Sequence, residues 1–251
     1  MNRLTAATAV ILLCAVSAGA QTTEERAGAR TLITKYGDAV VTVLATTKVR
    51  INQAGREVQN QDQKVQSLAT VLDGSGLAVM SLTQLDPSDA LTANLARGRG
   101  AASGISVTTE PSDVRFRLAD GREVPARVVL RDKDLDLAFL RPMDKPAAKM
   151  PAIDGAVAKP AAIDLVVVLQ RLPEVAEWRP TAIFASVQAV VEKPRTFYIL
   201  TGGAIGAPVF DTQGRFIGVV VRLRANESAN LPPIVLPATD IRDVAKQAAA
   251  E

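Results

Sequence analysis

The 251-residue chain contains no histidine and a single cysteine, Cys14. Without imidazole it has no side chain that ordinarily titrates near neutral pH, which excludes general-base and proton-shuttle chemistry built on histidine. Zinc, copper and haem sites lose their usual ligands too, leaving only carboxylates to hold an ion. Aromatic residues make up 4% of the chain, so Val, Leu, Ile and Ala must fill the core. The formal charge is +3 and no basic run is longer than a pair, so there is little to steer a polyanion toward the protein. No cofactor, metal or nucleic-acid partner is expected.

The first twenty residues read as a targeting segment. Met1-Asn2-Arg3 is a short positive start, residues 4–16 are mostly apolar and uncharged, and Ala18-Gly19-Ala20 is a small-x-small cleavage site. The apolar run is too short to span a bilayer as a helix. Retention as a membrane anchor, or lipidation at Cys14, is the weaker alternative, because Leu13 stands where a lipidation site wants a small residue. The expectation is cleavage after Ala20 and a periplasmic or secreted destination, with membrane contact only before cleavage. Cleavage also removes Cys14, so no disulfide can form even in an oxidising compartment.

Beyond the signal, residues 23–35 carry helix formers, acids in the first turn and Gly37 just past the end, which predicts a short helix. β-branched residues from Val40 start the first strand, and the Gln- and Asn-rich stretch 52–66 reads as an extended hairpin or surface loop. Residues 87–112 give the weakest pattern, with a helix expected over 90–97. Val114-Arg115-Phe116-Arg117-Leu118 alternates strictly, placing its apolar set on one face, and Asp120-Gly121 is a strong hairpin turn. Residues 141–162 are rich in Pro, Ala and Lys without periodicity and read as a linker. Strands resume after it, and residues 240–250 predict a closing helix with Asp240 as its N-cap. The expected organisation is a signal over 1–20, a helix and first barrel over 21–140, the linker, and a second barrel with a C-terminal helix over 163–251. The fold class is all-β, with two six-stranded barrels.

Two segments point to a family. Residues 120–132, Asp-Gly-Arg-Glu-Val-Pro-Ala-Arg-Val-Val-Leu-Arg-Asp, followed by Asp136-Leu137-Ala138-Phe139-Leu140, resemble the segment and D-L-A-V-L box of HtrA-type exported proteases, members of the trypsin-like serine protease family. Gly203-Ala204-Ile205-Gly206-Ala207-Pro208 resembles that family's G-N-S-G-G-P nucleophile turn. Gly214-Arg215-Phe216-Ile217-Gly218 and Ile234-Val235-Leu236-Pro237 are similar to the strands that follow it. The resemblance covers roughly residues 38–248. It implies the trypsin-like fold, a catalytic aspartate at Asp136, a histidine position at Thr83 within residues 76–84, and a nucleophile position at Ile205.

The departures decide the expected function. A threonine hydroxyl is no general base near neutral pH, and Ile205 has no nucleophilic atom. Losing one triad member removes most of the rate, and here two of the three are gone. Gly203, Ala204 and Ile205 would keep the former oxyanion turn as a ligand-binding element. Other readings stay open at this point. Asp136 can be a structural acceptor, Ile205 can be packing, and Gly202, Gly203 and Gly206 can be plain turn glycines. Asp132 and Asp134 beside Asp136 read as solvated turn carboxylates, and Ser75 lacks the partners that would activate it. The expectation is thus a degenerate relative of that family that binds an extended peptide or protein segment. The alternatives are a hydrolase with an unrecognised catalytic arrangement and a structural envelope protein with a plugged cleft.

Overall fold

The computed structural model describes residues 22–99, 104–222 and 232–249; the expected signal and its cleavage site lie outside them. Two closed antiparallel barrels of six strands each, an N-terminal helix and a C-terminal helix make up the trypsin-like architecture. The first barrel is ordered β1-β2-β3-β6-β5-β4, with β1 Val40–Gln53, β2 Arg56–Val71, β3 Ala78–Ser81, β4 Ile105–Arg117, β5 Glu123–Asp132 and β6 Leu137–Pro142. The second is ordered β10-β11-β12-β9-β8-β7, with β7 Leu165–Arg171, β8 Pro180–Val191, β9 Phe197–Leu200, β10 Pro208–Asp211, β11 Phe216–Val221 and β12 Ile234–Pro237.

Helix α1, Thr23–Tyr36, forms where the acidic first turn predicts it. Its N-cap Thr22 accepts from the Glu25 N–H at 3.1 Å while the Glu25 carboxylate accepts from the Thr22 N–H at 2.7 Å. This reciprocal box satisfies two of the donors a helix start leaves open. At its far end Tyr36 is buried, stacks on Phe210 at 5.3 Å and donates to Asp154 at 3.0 Å, so the helix is pinned to the second barrel and the linker. The closing helix α4, Ala238–Ala248, starts two residues earlier than the sequence predicts. Its N-cap is Pro237, which makes no side-chain bond, and Asp240 sits in the first turn, where a carboxylate still favours the helix dipole.

Of the two readings of the Gln-rich stretch, the extended hairpin is the one found: β1 and β2 pair without a break from Val40↔Thr70 to Ile51↔Gln59, then shift register before the turn. β4 runs alongside β1 over the same length. It begins well before Val114 and contains Pro111, which a central strand would not tolerate. The register explains it, because β5 pairs only with residues 115–117 of β4 and leaves Pro111 on a free edge. Helix α3, Ser88–Arg99, leans on β4, with the Val107 N–H donating to Thr92 at 3.0 Å. The two barrels share one contact of unusual closeness. Gly206, at φ 87°, approaches Leu68 so tightly that a Cβ would lie 2.0 Å from the Leu68 carbonyl oxygen. A glycine is required there by both conformation and space.

Candidate functional site

The site lies where the turn before β6, the end of β3 and the end of β11 meet. Asp136 is fully buried, and its φ of 56° is in the left-handed region that Asp tolerates better than most residues. That twist turns its carboxylate back across β3. Oδ1 accepts from the Thr83 N–H and the Thr83 hydroxyl, both at 2.7 Å, while Oδ2 accepts from the Ser81 hydroxyl and from the Arg222 N–H at 3.0 Å. The Asp136 carbonyl takes the Leu82 N–H at 2.8 Å. A buried carboxylate with four donors is well compensated for its lost hydration.

Thr83 and Ser81 reach it because β3 pairs with β6 through Ser81↔Leu137, which places the chain just after β3 beside the turn just before β6. A short helical turn, α2 Leu82–Leu85, then folds Thr83 over the carboxylate. Thr83 and Asp136 are thus in direct contact. Ile205 joins them only indirectly. The Gly206 N–H donates to the Val220 carbonyl at 2.7 Å, and Arg222, two residues further along the chain, donates to Asp136.

Ile205 is half-buried and packs against the core of the second barrel, as does Ala204. The turn is closed by the Ala207 N–H bonding the Ala204 carbonyl at 3.1 Å. Gly203 has φ 147°. Among the described residues the N–H groups of Gly203 and Ile205 have no acceptor. Beside Gly203 opens a cavity of about 130 Å³ walled by Leu200, Thr201, Val220, Pro232 and Val235, with no charged side chain among its lining residues.

The backbone of β11 is less available than a ligand-pairing edge would require. The Val220 N–H and carbonyl are both taken by the Ala207–Gly206 turn, Val219 and Val221 pair with Leu236 and Ile234, and the Arg222 N–H is held by Asp136. Residues 219–221 and the Arg222 N–H are therefore not free to pair with a ligand strand, because the 206–207 turn, β12 and the buried carboxylate consume them.

The sequence did not single out Ser81 or Arg222. A hydroxyl closing the apolar run Leu77-Ala78-Val79-Met80 is a legible sign of a buried acceptor nearby, whereas the Arg222 contact is a backbone contact that no side chain announces. Asp132 caps its own turn, accepting from the N–H groups of Asp134 at 3.0 Å and Leu135 at 2.9 Å, and Asp134 is exposed. Ser75 donates to Asp73 at 2.6 Å, away from Asp136 in the bonding network. Among the described residues no cluster of acidic side chains is arranged to hold a metal, and no helix is long and apolar enough to cross a membrane.

The trypsin-like peptidase domain family matches residues 74–219, more than half of the chain and all three positions just described. The chain belongs to that family. Among solved structures, an HtrA-type protease, a serine-to-alanine variant of AlgW with a decapeptide, shares the fold with a TM-score of 0.59. It is 15% identical, over 89% of this chain and 67% of that one. No curated protein matches the chain.

Proposed function

We propose that this chain is an exported pseudoprotease that holds an extended peptide or protein segment in the former substrate cleft without cutting it. The observation that carries the reading is the pair of acceptor-free N–H groups on Gly203 and Ile205 beside an uncharged cavity. Such a turn donates to a ligand carbonyl in the way an oxyanion hole does, while the cavity takes a small aliphatic side chain. The rest of the machinery is spent. Asp136 is engaged by Ser81, Thr83 and Arg222, the chain has no imidazole to orient, and Ile205 offers no nucleophile. The decapeptide in the AlgW structure is consistent with a peptide as the ligand class. Export follows from residues 1–20, and intact-mass analysis of envelope-fraction protein should give a chain beginning at Gln21.

The test is a fluorophosphonate probe and a casein digest, run beside capture of a peptide library. Capture without labelling or cleavage supports the proposal. Labelling of Ser75 or Ser81 would favour a hydrolase with a different arrangement. One observation favours a second reading: the packing of Ile205 on the second barrel's core is what a plugged, purely structural cleft requires.

A further inference from the structure

At the far end of β6 from Asp136, two cations face each other. Arg127 on β5 is directly opposite Arg141 on β6, a position in which side chains start about 5 Å apart and like charges destabilise the sheet. The other arginines of β1, β4 and the β4–β5 turn each have an acidic partner. Arg50 pairs with Glu110 at 3.0 Å, Arg115 with Glu123 at 2.5 Å and Asp113 at 2.8 Å, and Arg122 with Asp120 at 2.6 Å. Arg117 shares Glu123 at 3.6 Å and donates to the Gly121 carbonyl at 2.8 Å. Among the described residues Arg127 and Arg141 have no acidic partner; the Nε of Arg141 is buried without an acceptor, as are those of Arg115 and Arg117, so the missing carboxylate is what sets this pair apart. The acid nearest along β5, Glu123, is already committed.

The mounting is rigid. Ala126 beside Arg127 and Leu140 and Pro142 on either side of Arg141 are buried, so the strands hold the two Cα positions in register. Arg127 is exposed and Arg141 half-buried, which leaves one open face through which a ligand can approach.

We infer that Arg127 and Arg141 form a clamp for one oxyanion, a carboxylate or phosphate group carried by a partner. Two guanidinium groups converging on one oxyanion satisfy it with paired N–H donors, and the anion removes the repulsion that the bare pair carries. The clamp is independent of the peptide reading, because it shares no residue with the cleft.

Thermal unfolding of the purified protein in inorganic phosphate, and separately in succinate, against chloride at matched ionic strength tests it. Phosphate stabilises many proteins without a site, so the quantity that counts is the difference between wild type and variants. Wild type should show a saturable rise of about 3–5 °C at ten times its Kd, absent in Arg127→Gln and Arg141→Gln and retained in Arg195→Gln. A response to phosphate alone supports the clamp with a phosphate-bearing partner, and one to succinate supports it with an acidic polypeptide. Arg141→Glu puts an acid opposite Arg127. It should melt above wild type in chloride and lose the anion response. Equal rises in wild type and both glutamine variants, or a response kept by Arg141→Glu, would overturn the inference.

Discussion

Replacing Asp136 by asparagine and by alanine separates its bonding roles. Asparagine keeps the size and tolerates φ 56°. Its oxygen can accept from both Thr83 donors, and its NH2 group then faces Ser81, whose hydroxyl can turn to accept. The Arg222 N–H cannot turn, and is left facing a donor. It is only part-buried, so water relieves some of the penalty and the loss should be about 1 kcal/mol. Alanine orphans the enclosed Thr83 N–H as well, at about 1–3 kcal/mol, and puts a residue without a local hydrogen bond into the left-handed region at about 1 kcal/mol more. The sum is about 3–5 kcal/mol. Urea unfolding at neutral pH reads both, as shifts in midpoint at constant slope. Equal losses for the two variants, or neither exceeding about 0.5 kcal/mol, would show that the carboxylate does not brace the barrels through these donors.

Other predictions follow from single contacts. Gly206→Ala must displace the Leu68 carbonyl, which a Cβ would meet at 2.0 Å; a loss of about 3 kcal/mol or more is expected, seen as a melting temperature lower by about 6–12 °C, and a near-neutral result would mean the two barrels are not in close contact there. Ile205→Asp should abolish peptide capture with little change in melting temperature if the side chain faces a ligand, whereas a loss of several kcal/mol would mark it as core and favour the plugged cleft. Burial pushes the Asp86 carboxyl up, but donors from the Thr109 and Ser88 hydroxyls and the Ser88 N–H, with Arg131 nearby, outweigh it and hold the group below its ordinary value of 3.8. Its folded value being lowered, the stabilisation is fully present above pH 3.8 and is lost as pH falls through the folded value. Thr109→Val should therefore cost about 1 kcal/mol at pH 7 and progressively less in acid, as read by pH-dependent urea melts; a cost that stays constant however far the pH falls below 3.8 contradicts this assignment.

Much of the first barrel is legible in its sequence where one face is buried. The alternation at residues 114–118 and the Asp120-Gly121 turn correspond to the end of β4 and the start of β5, because a period of two leaves only one register that hides Phe116. The outer parts of β1, β2 and β4 were harder to read. Residues 56–64 of β2 are exposed on both faces, so no alternation exists to read, and Pro111 argues against a strand until its edge position is known. At the site, Asp136 and the turn 203–208 carry local signatures. Its donors are less legible: Ser81 meets Asp136 only once β3 pairs with β6 inside the first barrel, and the Arg222 N–H only once the second barrel packs against it.

The proposed cleft binds without cutting. Incubating the purified protein with a defined peptide library, then recovering bound material and supernatant for mass spectrometry, tests both halves at once. The prediction is a subset of peptides retained at full length, enriched in a small aliphatic residue that fits the cavity beside Gly203, with no new termini in the supernatant. New termini from cleavage, or a library that passes through without any peptide retained, would contradict it.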